Sequence, residues 1–163
     1  MKALKNSPLP TAALIGSVGA SAAYVAATGA NVIIASDYAE VGSIGVTQSY
    51  VQQATQDQKN GLEFIPLATG PFKDMGNPDN PITPAQRALY ARDNAIFLNI
   101  MVGQIAQNRG MATDTVLALA DGSAMPASLA LKHGLIDIVG DIDTAQKFFE
   151  QRTGGKVVFC NAN

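Results

Sequence analysis

The sequence predicts an α/β fold with a mostly parallel sheet and flanking helices, and three features of its 163 residues carry that expectation. Two short apolar runs, residues 11–15 and 32–35, are bounded by turn residues as buried strands are. The alanine-rich segment 21–27 between them has high helix propensity. A long helix start signal follows at Thr83. Apolar strands joined through a short helix imply a parallel sheet covered on its faces.

The first strand follows two prolines and covers residues 11–15. Gly29 is expected to stop the helix of residues 21–27, and the Val32-Ile33-Ile34-Ala35 run is the second strand. Gly42-Ser43-Ile44-Gly45-Val46 reads as a glycine-flanked turn entering a short strand. Residues 49–59 are polar enough for a surface helix ended by Asn60-Gly61, and residues 62–67 are the next expected strand. Residues 68–84 form a loop rich in Gly, Pro, Asn and Asp that carries Lys73. Thr83-Pro84-Ala85-Gln86 combines an N-cap, a first-turn proline and a capping-box glutamine. The helix it opens is expected to run to about Asn108, with Leu89, Ile96, Phe97, Ile100, Met101 and Ile105 on its apolar side and Gly110 behind it. Thr113 is expected to cap a short helix through residue 120, Pro126 to begin one that stops at Gly134, and Asp143 to cap a last one to about Arg152. Residues 156–159 are expected as an edge strand. No repeat, low-complexity tract or linker divides the chain, so residues 1–163 read as a single domain.

Composition excludes several function classes. Hydrophobic residues make up 47% and charged residues 15%, the latter well below the roughly 25% of an average soluble domain, which excludes a disordered tail. Eleven basic against 13 acidic residues give a net charge of -2, and without a Lys/Arg cluster there is no electrostatic footprint for nucleic acid. One cysteine, Cys160, and one histidine, His133, exclude a disulfide framework and a Cys/His zinc site.

Residues 11–36 hold 26 consecutive positions without a formal charge, after Lys2 and Lys5. A membrane span and a secretory leader, with basic Met1 to Lys5 and small residues near Ala20-Ser21-Ala22, both fit that fact. Gly16, Gly19, Gly29 and the scattered polar residues count against both, because few side chains in the stretch favour the bilayer centre.

At the strand-to-helix junction stands Gly19-Ala20-Ser21-Ala22-Ala23. A nucleophile on a sharp turn needs small neighbours and gains from nearby amides that can stabilise an oxyanion. A serine at a helix start also serves as an N-cap, and the residues alone leave both roles open. A Ser-His-Asp triad would need His133 as base, but His133 sits in the last turn of a predicted helix, where it complements the helix dipole. Asp137, Asp141 and Asp143 cluster near a helix start, so capping is their expected role. Gly16-Ser17-Val18-Gly19 lacks the spacing of a phosphate-binding loop. Lys73 is the candidate base. A lysine works as a base at neutral pH only where desolvation lowers its ordinary pKa of about 10.4. Leu67, Ala68, Pro71 and Phe72 precede Lys73 and could wall it off from water, although a loop lysine is ordinarily solvated.

Four motifs, taken in order and spacing, resemble a known family: Gly19-Ala20-Ser21-Ala22-Ala23-Tyr24, Val41-Gly42-Ser43-Ile44-Gly45-Val46, Phe72-Lys73-Asp74-Met75-Gly76-Asn77-Pro78 and Gly134-Leu135-Ile136-Asp137. Together they are similar to the signal peptide peptidase A (protease IV) family of serine peptidases, from about Pro10 to about Phe149. The resemblance implies a Ser/Lys dyad on a ClpP/crotonase-like α/β fold, with no cofactor and no metal. Ser21 falls where the family has its nucleophile. Lys73, 52 residues on, falls at the general base of the shorter bacterial members, and Ser43 at a serine that helps orient the lysine. Also implied are extended apolar peptide substrates such as signal-peptide remnants, a homo-oligomer, and association with the bacterial inner membrane through segments outside this chain.

Two departures stand out. Ser21-Ala22-Ala23-Tyr24 replaces the family's usual Ser-Gly-Gly-Tyr and is similar to the variant of phage capsid-maturation proteases, the alternative source of such a chain. The family's earlier strands, with a Pro-Gly-Gly segment that contributes the other oxyanion-hole amide, have no counterpart. The resemblance therefore covers the C-terminal two-thirds of a peptidase domain. Loss of one oxyanion donor costs on the order of 100- to 1000-fold in rate, so a truncated or non-catalytic assembly subunit of the same fold is the second expectation.

Overall fold

The computed structural model describes residues 2–160; Met1, at the head of the basic stretch weighed as a leader, lies outside them. Contacts divide the chain into two units: residues up to Gly45 together with those from Asn99 onward, and Val46–Leu98. The first unit holds helix α1 (Lys2–Lys5), strands β1 (Ala12–Ile15) and β2 (Val18–Ala20), helix α2 (Ala22–Ala27), and strands β3 (Val32–Ala35) and β4 (Glu40–Gly42). In the second unit lie α3 (Ala54–Lys59) and the first turns of α4 (Pro84–Arg109), whose last turns belong to the first. The first unit continues with α5 (Thr113–Ala118), β5 (Ala124–Pro126), α6 (Ala127–Lys132), β6 (Ile138–Val139) and α7 (Ile142–Thr153).

Two three-stranded sheets organise the first unit, in the orders β1-β3-β6 and β2-β4-β5. All pairings are parallel except β4 with β5. The central strand β3 is buried at every position, as its unbroken Val-Ile-Ile-Ala run requires of a strand covered on both faces. The uncharged stretch 11–36 thus folds as strand, strand, helix and strand. No helix among the described residues is long and apolar enough to cross a membrane.

Local signals held where they were complete. Thr83 Oγ1 accepts the Gln86 amide at 3.2 Å while Gln86 Oε1 accepts the Thr83 amide at 2.9 Å, the reciprocal capping box that the sequence encodes. Gly110 and Gly134 lie behind their helices with φ of 65° and 75°, a left-handed conformation that costs glycine least. Elsewhere the structure corrects the expectation. The last helix is capped by Asp141, not Asp143: the Asp141 carboxylate accepts the Asp143 and Thr144 amides, and Thr144 completes the box. The short helix at Thr113 has Ala112 at its N-cap, without a side-chain cap, and ends at Ala118. The surface helix shortens to Ala54–Lys59.

Strand expectations fared worse where no partner exists. The turn at residues 42–46 follows a strand instead of entering one. Residues 62–67 and 156–159 form no strand, and Leu62, Ile65 and Leu67 are exposed. A strand is stable only when its backbone groups and one side-chain face are paired or buried, and no described strand pairs with either segment. On α4 the buried residues are Val102, Ile105 and Ala106, whereas Ile96, Phe97 and Ile100 are about half exposed. The helix therefore buries only its last turns.

Candidate active site

Parallel pairing of β2 with β4 sets Ala20 opposite Gly42. Ser21 and Ser43, the next residue on each chain, therefore leave neighbouring strands side by side at the carboxyl ends of the pair, the edge where open α/β sheets place their ligands. The Ser21 amide donates to the Gly42 carbonyl at 2.7 Å and ties the two turns together.

Both serines have unusual backbones. Ser21 has φ 53° and ψ -126°, and Ser43 has φ 48°; they are the only non-glycine residues with positive φ among the described residues. Such conformations cost about 1–3 kcal/mol each and persist only where surrounding structure enforces them. Ser21 stands at the N-cap position of α2 but makes no side-chain capping bond, and it is exposed. Its left-handed φ is also not the extended backbone of a capping serine. The hydroxyl is thus presented from a strand-to-helix elbow. Small neighbours make room: a Cβ on Gly19 would lie 2.5 Å from Ile15 Cδ1. One turn beyond Ser21, buried Tyr24 donates its hydroxyl to the Leu135 carbonyl at 2.7 Å, which pins α2. Burial, opposed by the charge of Arg109 and reinforced by that of Asp137, drives the Tyr24 phenol well above its ordinary pKa, so it is a neutral donor.

Ser43 is held by its own bonds. Its Oγ donates to the Gly122 carbonyl at 3.0 Å and its amide to the Ser123 carbonyl at 2.8 Å.

Lys73 lies in the second unit, where its amide donates to the Gly70 carbonyl at 3.2 Å. Asp74 gathers the loop after it: Asn77 Nδ2 donates to both carboxylate oxygens at 3.2 Å and Asn80 Nδ2 to one at 2.9 Å. The apolar residues before Lys73 do not enclose it. Leu67 is 95% exposed, and Phe72 and Lys73 are exposed too. A cleft of about 480 Å³ in the same unit is lined by Pro66, Gly70, Pro71, Asp74, Asn80 and Gln86, among others, without Lys73.

Asp137 takes a role that the sequence did not reveal. Instead of capping a helix, its carboxylate forms a two-point pair with Arg109, at 2.7 and 3.0 Å, and its Oδ2 accepts the Ile33 amide at 2.7 Å. Arg109 also donates to the Gly134 carbonyl at 3.0 Å. The pair fastens the end of α4 to β3 and to the segment before β6. Burial pushes the Asp137 carboxyl up, but the Arg109 hydrogen bonds and charge, with the Ile33 amide, outweigh it and hold the group below the usual carboxylate range. A depressed folded pKa contributes stability that is present above the unfolded value of about 4 and is lost as pH falls through the folded value. The difference in unfolding free energy between wild type and Asp137→Asn is therefore expected to shrink below about pH 4. Urea titrations at pH 7 and pH 3 check it; equal differences at both would contradict the assignment.

His133 occupies the C-cap position of α6. Among the described residues no group of three or more His, Cys, Asp or Glu is placed to hold a metal ion.

The family model described as "Peptidase family S49" matches residues 3–156. The chain belongs to peptidase family S49. Among curated relatives, a Methanocaldococcus jannaschii protein named as a candidate protease is 30% identical over 143 residues, 87% of this chain and 46% of that protein. The chloroplastic serine protease SPPA of Arabidopsis thaliana is 27% identical over 144 residues, 88% of this chain and 21% of that one. The chain thus spans less than half the length of either relative. Among solved structures, a mutant of the 1510-N membrane-bound stomatin-specific protease, in complex with a substrate peptide, has a TM-score of 0.54 at 18% identity. The match covers 90% of this chain and 55% of that one. The chain has the α/β arrangement of mostly parallel sheets and flanking helices that the motifs implied, and it shares its fold with that protease.

Proposed function

We propose that this S49 chain is part of a serine endopeptidase of signal-peptide-peptidase type, with residues 1–163 belonging to one peptidase domain and Ser21 as nucleophile. The observation that carries the reading is the Ser21 backbone: an exposed serine in a costly left-handed conformation, free of any capping bond, between strand β2 and helix α2. In the proposed reaction Lys73 Nζ takes the proton of Ser21 Oγ as the oxygen attacks the scissile carbonyl. The oxyanion meets a backbone N-H near Ser21, and Ser43 orients the lysine. Collapse passes the proton to the leaving amine and leaves an acyl-Ser21 ester, which water then hydrolyses with Lys73 again as base.

The solved neighbour carries a substrate peptide, which supports a peptide as substrate here. Extended, apolar segments such as signal-peptide remnants suit binding alongside a strand edge. A homo-oligomer at the bacterial cell envelope belongs to the same proposal. Exposure of Lys73 favours a second reading, in which the chain is a non-catalytic assembly subunit, because the apolar residues of its own loop do not wall the side chain off from water.

Incubation with a fluorophosphonate, followed by mass spectrometry, separates the readings. The peptidase reading expects a covalent adduct on Ser21, at least about 100-fold slower in Lys73→Ala, the size of a general-base contribution. An unmodified Ser21 alongside an intact fold would establish the second.

A further inference from the structure

A serine hydroxyl has one proton to give and two lone pairs. At Ser43 the proton is committed, because the Gly122 carbonyl 3.0 Å away can only accept. Toward any third group the Ser43 oxygen is therefore an acceptor. That polarity matters beside a nucleophile. A neutral amine that must aim its lone pair at Ser21 has N-H bonds to give elsewhere, and an acceptor in a fixed place sets its orientation.

The carbonyl that imposes this polarity is itself held. Gly122 donates its amide to the Ile44 carbonyl at 3.1 Å, while the Ser43 amide donates to the Ser123 carbonyl at 2.8 Å. These bonds extend the antiparallel pairing that sets Gly42 opposite Ala124. The two segments meet at backbone distance: a Cβ on Gly45 would lie 3.1 Å from Gly122 Cα. Gly122 has φ 86°, so the turn suits glycine at that position. Asp121 closes the turn, its Oδ1 accepting both the Ser123 amide at 2.8 Å and the Ser123 hydroxyl at 2.6 Å. The Ser123 hydroxyl and amide hold the Asp121 carboxyl below the usual carboxylate range, which keeps it ionised.

We propose that Asp121 is a positioning residue: through the Asp121-Gly122-Ser123 turn it holds Ser43 as an acceptor toward the reacting amine. The inference rests on the roles of Ser21 and Ser43 given above. The test uses the full chain with Asp121→Ala and Asp121→Asn, each alone and combined with Ser43→Ala. Two quantities are read: the rate of Ser21 phosphonylation, and hydrogen exchange at the Ser43 and Gly122 amides. Asp121→Ala is expected to slow phosphonylation about tenfold, the weight of one lost hydrogen bond, with no further slowing in the Ser43→Ala background. Asp121→Asn, whose side-chain oxygen can still accept both bonds, is expected to restore most of that loss. Exchange at the two amides is expected to accelerate in Asp121→Ala and not in Asp121→Asn. Equal slowing in both backgrounds would assign Asp121 a merely structural part and overturn the proposal, as would unchanged exchange at Ser43 in Asp121→Ala. Absence of any adduct in the wild type would instead defeat the nucleophile reading, with exchange alone then deciding whether Asp121 controls Ser43.

Discussion

Ser21→Gly is expected to abolish covalent labelling and peptide hydrolysis while making the chain more stable by about 1 kcal/mol. The loss of reaction follows from removing the attacking oxygen, and removal of a nucleophile typically costs about 10⁴-fold or more. The gain in stability follows from the backbone. At φ 53° and ψ -126° a side chain is strained and glycine is not, while the added freedom of the unfolded glycine cancels only part of the benefit. Ser21→Ala separates the two effects, since it loses the oxygen but keeps a Cβ, so it is expected to be inactive at near wild-type stability. Urea unfolding beside the labelling assay reads both. A Ser21→Gly chain that proved less stable than Ser21→Ala would show that the elbow is not strained, and the main support for a nucleophile there would go with it.

Ile34→Ala is expected to cost about 2–5 kcal/mol, enough to threaten a fold whose total stability is of the order of 5–15 kcal/mol. Ile34 is fully buried on the middle strand of the β1-β3-β6 sheet. It packs with Val32 and with Ala145 of α7, and Ala12, Ile138 and Phe148 close around them. A truncated side chain there leaves a void between sheet and helix that a hydrogen-bonded strand cannot move to fill. Ile34→Val removes a single methylene and is expected to cost about 0.5–1.5 kcal/mol. Urea midpoints at constant m-value decide the matter; similar losses for both variants would mean that the site collapses around the smaller side chain.

Elements whose signals lie within a few residues were legible in advance. The strand of residues 11–15, the Val32–Ala35 strand and the capped start of α4 came out nearly as read. So did the turn that carries Ser21, because small residues in a run mark close backbone approach whatever surrounds them. The strands β2, β5 and β6 were not legible: at three, three and two residues they show no alternation and exist only because a neighbour pairs with them. Residues 62–67 are the converse case, since their apolar run resembles a strand and finds no partner among the described strands. Asp137 also depends on a distant partner. Its neighbours Asp141 and Asp143 suggested a helix start, and the arginine that claims it lies 28 residues upstream. For the Asp121-Gly122-Ser123 turn a signal was present: an Asp-Gly pair favours such a turn, though nothing local says what the turn grips.

By itself the sequence determined the α/β class, the family motifs and the serine at the elbow, because these depend on propensity, capping and steric clearance between near neighbours. The tertiary structure decided that Ser21 and Ser43 stand side by side, that the Ser43 hydroxyl donates a hydrogen bond to the Gly122 carbonyl, and that Asp137 joins Arg109. Those outcomes rest on strand register and on hydrogen bonds between residues 22 to 104 positions apart. Hydrogen bonds and ion pairs act over about 3 Å. Only the folded chain brings such distant residues within that range.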